Sequence, residues 1–145
     1  MYVFKRYIVI IFSIALGVTI YLLFRHTTTS LYLLATKLGF FESIDNVRDY
    51  VSFLHFPAWF IYSLPDGLWM FSFVLLMMSI WDFRLAGPGK VWIYLSILLG
   101  ITFEIFQAFV SRLGFFDWID MIFIILGAVL PLLLFNNKNN FYEKV

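Results

Sequence analysis

Five polar side chains stand where this chain is otherwise apolar: Asp66, Glu104, Gln107, Asp117 and Asp120. Glu104 and Gln107 are three residues apart, as are Asp117 and Asp120, so on helices each pair shares a face. Ser96 and Gly100 extend the first face in one direction. Gly127 lies seven residues beyond Asp120 on the second. Arg112 stands between the two pairs. Carboxyl and amide groups gathered in this way can bind a cation, accept hydrogen bonds from a ligand, or move a proton as general acid or base. In an apolar medium each must also be paired, protonated or solvated, because an isolated buried charge is costly. Such residues usually face a bundle interior and mark function.

The medium follows from composition. Of 145 residues, 63% are hydrophobic and 13% charged, against roughly half and a quarter in soluble domains. Mean hydropathy is +0.93. A core this small cannot hide the excess, so lipid is the solvent for much of the surface. A net charge of +1 excludes nucleic acid as the main partner. The absence of cysteine removes disulfides, thiolate chemistry and Cys-based zinc sites. The only histidines, His26 and His55, form no helical ligand pair. No metal or other cofactor is therefore expected, although Asp66, Glu104 and Asp120 are the oxygen donors a hard cation would use.

Four runs are long and apolar enough to span a bilayer: about 7–24, 64–81, 91–110 and 118–135. The fold class expected is an all-α integral membrane protein in one domain, 1–145. The first run follows Lys5 and Arg6, and no small-residue cleavage motif follows Phe24, so it reads as an uncleaved anchor. Trp81 and Trp92 flank the second link, while Trp59, Tyr62, Trp69 and Trp118 gather toward the other membrane face. Gly87-Pro88-Gly89 reads as a tight turn joining spans two and three. Proline suits helix starts and breaks, so Pro57 and Pro65 are expected to lead the chain into span two, placing Asp66 in its first turn.

Between spans one and two, residues 27–63 are too long and too apolar for an idle loop. Leu31, Leu34 and Leu38 recur at helical spacing, as do Val47, Tyr50, Leu54 and, more loosely, Ile61. Charges at Lys37, Glu42, Asp45, Arg48 and Asp49 break any spanning run. Interfacial helices on the outer membrane face are expected. Lys5, Arg6, Arg84, Lys90, Lys138 and Lys144 fall on the side of the termini, and Arg25, Lys37, Arg48 and Arg112 on the other. Six against four places both termini in the cytoplasm. Residues 36–45 and 111–120 also echo one another, identical at six positions, each with a basic residue, a glycine and then an acid. This is the pattern of one helix ending and the next beginning.

In this arrangement Asp66, Glu104, Gln107, Arg112, Asp117 and Asp120 collect at the outer end of the bundle, with Arg112 as the nearby cation. Asp117 reads most simply as an N-cap for span four. Glu104, roughly 9 Å below the end of its span, is the hardest to explain structurally.

Glu104-x-x-Gln107, Arg112, Asp120 and Gly127 resemble the second half of the VanZ-like family pattern. That pattern has Glu and Gln on one transmembrane helix, Arg in the turn, and Asp and Gly on the next. Asp66 and Phe71 match its first half, but Gly67 and Met70 replace the usual Lys and His, and Ile124 replaces a frequent Asn. The resemblance implies a small polytopic protein of the bacterial inner membrane, in a family linked to low-level teicoplanin resistance. The function expected is binding of a lipid-linked or cell-envelope ligand in an acidic pocket open to the outer side. The alternatives are an intramembrane enzyme using Glu104 or Asp120 as acid or base on a lipid head group, and a structural subunit pairing its acids with a partner membrane protein's cation. Membrane lipid is a partner in every case.

Overall fold

The computed structural model describes residues 2–82, 87–110 and 116–135. These form six helices: α1 (Tyr2–Phe24), α2 (Ser30–Lys37), α3 (Phe41–Tyr50), α4 (Ala58–Ile80), α5 (Gly87–Phe109) and α6 (Trp118–Phe135). Four of them, α1, α4, α5 and α6, are long and apolar enough to cross a membrane. The protein is a helical, multi-pass membrane protein with two short helices between its first and second spans.

The central helix is α4. Its buried residues include Ser63, Gly67, Met70, Ser72, Val74 and Met78, which lie on several sides of the helix. It packs most closely on α6, nearly as closely on α1, and lightly on α5. Glycine sets the closest approach. A Cβ on Gly67 would stand 2.9 Å from the Phe123 carbonyl oxygen, and one on Gly127 would strike the Gly67 carbonyl. Two backbones in contact give dispersion attraction where no hydrophobic force acts between helices. Trp69 lies against Gly17 of α1 in the same manner. Between the spans, Met70, Val74, Met78, Ile93, Ile124 and Ala128 form the buried core. Serine hydroxyls inside it bond first to their own helices: Ser72 Oγ donates to the Leu68 carbonyl and Ser96 Oγ to that of Trp92, both at 2.8 Å, and Ser72 Oγ also lies 3.4 Å from the Ile10 carbonyl of α1.

Two expectations about helix boundaries are corrected. Span two begins at Ala58, not near residue 64, with Pro57 as its N-cap and Pro65 inside it. Asp66 is therefore eight residues from the helix start, about 12 Å along the axis. It is not in the first turn, where the positive helix end would explain it. Residues 87–89 are likewise no turn. They open α5, with Gly87 at φ 58° and Pro88 in the first helical turn, where its missing N–H costs nothing. Trp69, expected in an interfacial belt, points inward: its indole packs on Tyr21 with ring centroids 5.4 Å apart.

The interfacial region is helical over 30–37 and 41–50, a shorter stretch than 27–63, and Ile61 belongs to α4. Leu34, Leu38, Val47 and Tyr50 are exposed, as befits an apolar face without a protein partner. The junction at Gly39 (φ 88°) is a Schellman cap, with Gly39 N–H donating to Thr36 O and Phe40 N–H to Ala35 O, both 3.0 Å. Arg48 holds α3 to the bundle by donating to the Leu22 carbonyl at 2.6 Å, in the last turn of α1. The basic residue and glycine of the second echo, Arg112 and Gly114, lie outside the described residues, so only its acid, Asp117, can be compared.

Candidate functional site

The end of α1, the first half of α4, the second half of α5 and the start of α6 enclose a cavity of about 850 Å³. Asp66, Glu104, Gln107, Asp117 and Asp120 all line it. Three facts of the chain bring them together. The antiparallel order of the spans puts the ends of α1 and α5 at the same level as the starts of α4 and α6. Helical spacing turns Glu104 and Gln107 to one side of α5, a side on which Gly89, Ile93 and Ser96 are also buried. Close packing of α4 on α6 through Gly67 and Gly127 then sets Asp66 and Asp120 on neighbouring helices. Arg112, expected above the site, lies outside the described residues.

The sequence reading missed Arg25, which follows α1 directly and lines the cavity. It forms a salt bridge to Asp66, Nη2 to Oδ2 at 3.0 Å, with the two side chains 15% and 26% exposed. The same guanidinium donates from Nε to the Ile61 carbonyl at 3.2 Å and from Nη2 to the Tyr62 carbonyl. Pro65 explains why these carbonyls are available. It has no N–H to return to Ile61, four residues earlier, and its ring opens that turn. In lipid the freed backbone groups must find other donors. Arg25 supplies them, and its fixed fork reaches the carboxyl group in the next turn at the same time. The guanidinium also lies over the Tyr21 ring, 4.3 Å from the centroid. The cation beside these acids is thus Arg25 among the described residues. The signal was present in the sequence: an acid one residue after a mid-span proline needs a long donor from a helix ending at the same level.

Glu104 is buried, with 3% of its surface exposed. Its Oε1 accepts the backbone N–H of Asp117 at 3.3 Å, linking α5 to the entrance of α6. Asp117 then caps α6: its Oδ1 accepts from Ile119 N–H at 2.9 Å and its carbonyl from Met121 N–H at 3.1 Å. This acid has a structural task and is solvent-exposed. Asp120 has none of that kind. Its Oδ1 is buried without a hydrogen-bond partner. Asp66, Asp117 and Asp120 all lie near enough for Glu104 to feel their charge. Among the described residues no group of three His, Cys, Asp or Glu side chains is arranged to hold a metal ion.

Aromatic side chains make up much of the remaining wall, with Trp59 near the start of α4, Tyr21 and Trp69 packed together further in, and Phe73 and Phe103 at the sides. Phe73 and Phe103 are 41% and 56% exposed, on spans whose exposed surface meets lipid. The cavity therefore joins a polar end, among the acids, to an apolar flank between α4 and α5. Such a space suits a molecule with a polar head and an apolar body.

Comparison with protein-family models, with curated proteins and with solved structures gives no match to this chain.

Proposed function

We propose that this protein binds a membrane-dissolved amphiphile, a lipid-linked or other cell-envelope molecule, in the cavity between α4, α5 and α6. The observation that carries the reading is one cavity lined by Asp66, Glu104 and Asp120 toward the bundle interior and by lipid-exposed Phe73 and Phe103 on its flank. A site for a soluble ligand has no use for an opening toward acyl chains. A purely structural subunit has no use for acids turned inward. Asp66 is engaged by Arg25 and Glu104 is buried, so neither is offered to a partner's transmembrane cation.

The resemblance of Glu104, Gln107, Asp120 and Gly127 to the VanZ-like pattern agrees with an envelope ligand and extends the proposal to glycopeptide tolerance. The Lys and Arg distribution supports an outer acid end with both termini in the cytoplasm, and the VanZ-like resemblance supports the inner membrane.

The test is lipid retention. Wild-type protein extracted in mild detergent should carry a stoichiometric amphiphile, seen by native mass spectrometry. Gly100 lines the cavity, and a Cβ there meets the flexible end of Met70 at 2.9 Å. Gly100→Leu should fill the space and lose the adduct while remaining folded. Folded wild-type protein that purifies bare, and takes up no added lipid, would exclude the proposal.

A further inference from the structure

We infer that the head group taken by this cavity is a primary ammonium, carried on an alkyl chain; the inference rests on the amphiphile-binding reading above and specifies its ligand. Four carboxyl groups line the cavity, and Arg25 is the lone cation among its described lining residues. Arg25 is already committed. Its Nε and Nη2 are given to two carbonyls and to Asp66. Asp117 is committed to the cap of α6. Glu104 and Asp120 remain, and both are rich in unused acceptors. Glu104 receives one backbone N–H, and Asp120 Oδ1 is buried with no donor at all.

A buried acceptor without a donor is a costly arrangement, which a ligand bearing donors would relieve. A primary ammonium brings three donors and a positive charge. It can bridge Glu104 and Asp120 while the Gln107 amide oxygen accepts the third N–H. A phosphate head would face the same two carboxyl groups as a repelled anion, and the charge of Arg25 is already set against Asp66. A hydroxyl head brings one donor and no charge. The aromatic wall favours a cation as well, through the negative faces of its rings. The chain of such an amine leaves past Phe73 and Phe103, which line the cavity and are exposed to lipid.

Glu104 and Asp120 would each contact the ammonium directly. Asp66 acts through Arg25, keeping that cation away from the two free acids. The Asp117 N–H that Glu104 Oε1 accepts at 3.3 Å, three residues before Asp120, ties α5 to the start of α6 and so holds the two acids near one another.

The experiment uses full-length protein in an uncharged detergent, with binding read by native mass spectrometry as one-to-one adducts. Four probes are compared: hexadecylamine, hexadecanol, hexadecyl phosphate and butylamine. Hexadecylamine should bind at least tenfold more tightly than hexadecanol, and the phosphate should not bind. Butylamine, a head without a chain, should be bound at least a hundredfold more weakly than hexadecylamine. The isosteric double variant Glu104→Gln/Asp120→Asn should lose at least tenfold in hexadecylamine affinity and little for hexadecanol. Asp49→Asn, an acid outside this cavity, should change neither. Equal binding of the amine and the alcohol, or preference for the phosphate, overturns the inference and leaves an amphiphile site standing. Equal binding of butylamine moves the ligand from lipid to water and overturns both readings. Should the double variant fail to fold, the ranking of the four probes on wild-type protein decides alone.

Discussion

At the scale of single residues, Arg25 and Pro65 act as one device. Proline removes a helical donor within the membrane, and arginine from the neighbouring helix replaces it while neutralising Asp66. The two substitutions should therefore not add. Arg25→Ala leaves a partly buried carboxyl group and two carbonyls without their donor, a loss of about 2–3 kcal/mol after allowance for partial exposure. Arg25→Lys keeps the charge but not the fork, so about 1 kcal/mol is expected. Pro65→Ala restores the N–H to Ile61. In that background Arg25→Ala should cost about 1 kcal/mol less, a coupling measurable by unfolding the four proteins in mixed micelles. Strict additivity would show that Arg25 serves Asp66 alone. The acids themselves were legible from sequence, because each violates the composition of its surroundings. Their partners were not. Arg25 looks like any basic flank of a first span, and only the packing of α1 against α4 brings it to Ile61. Asp117 was read correctly as a cap, since Asp followed by a long apolar run is local chemistry.

At the scale of elements, run length and charge spacing were enough to find all four long helices, because a bilayer demands about twenty apolar residues in sequence. Both boundary errors involve proline. Pro65 reads as a helix start by soluble-protein rules, and so does not disclose the roughly two turns of helix before it; in lipid, a neighbour's donor lets the helix continue through. Pro88 reads as part of a turn, yet occupies the first-turn position that tolerates it. Nor does sequence reveal which helix is central. The glycines on α4 and α6 show it only once paired. A graded prediction follows. Gly127→Ala drives a Cβ into the Gly67 carbonyl and Gly67→Ala meets the Phe123 carbonyl, and backbone cannot step aside. Each should destabilise by about 1–3 kcal/mol. Gly100→Ala crowds only the flexible thioether end of Met70, Cε at 2.9 Å and Sδ at 3.0 Å, which can rotate, and should cost less than about 1 kcal/mol. Unfolding in mixed micelles separates the cases. Equal losses at all three positions would mean that helix propensity, not close backbone approach, governs them.

For the whole molecule, α4 packs between α1 and α6 while α5 is attached mainly through Ile93, Ser96 and Glu104. The cavity lies between this lightly attached helix and its neighbours. The two short helices and the acid end are necessarily on one membrane face, because α1 ends and α4 begins there. Which face this is depends on the basic residues, of which Lys5, Arg6 and Lys90 lie at the opposite end among the described residues. The natural lack of cysteine makes the question direct, since any introduced thiol is the only one present. Lys37→Cys and Asp49→Cys, both exposed on the short helices, should react with a membrane-impermeant maleimide added to intact cells. Lys90→Cys, in the first turn of α5, should react only after the membrane is opened. Val145→Cys should behave like Lys90→Cys. Lys37 and Asp49 reacting from opposite sides would refute the interfacial placement of α2 and α3. Both reacting only in opened membranes, with Lys90 labelled on intact cells, would invert the protein. The cavity would then draw its amphiphile from the cytoplasmic leaflet, and an envelope ligand assembled outside would be ruled out while the amine chemistry of the site stayed open to test.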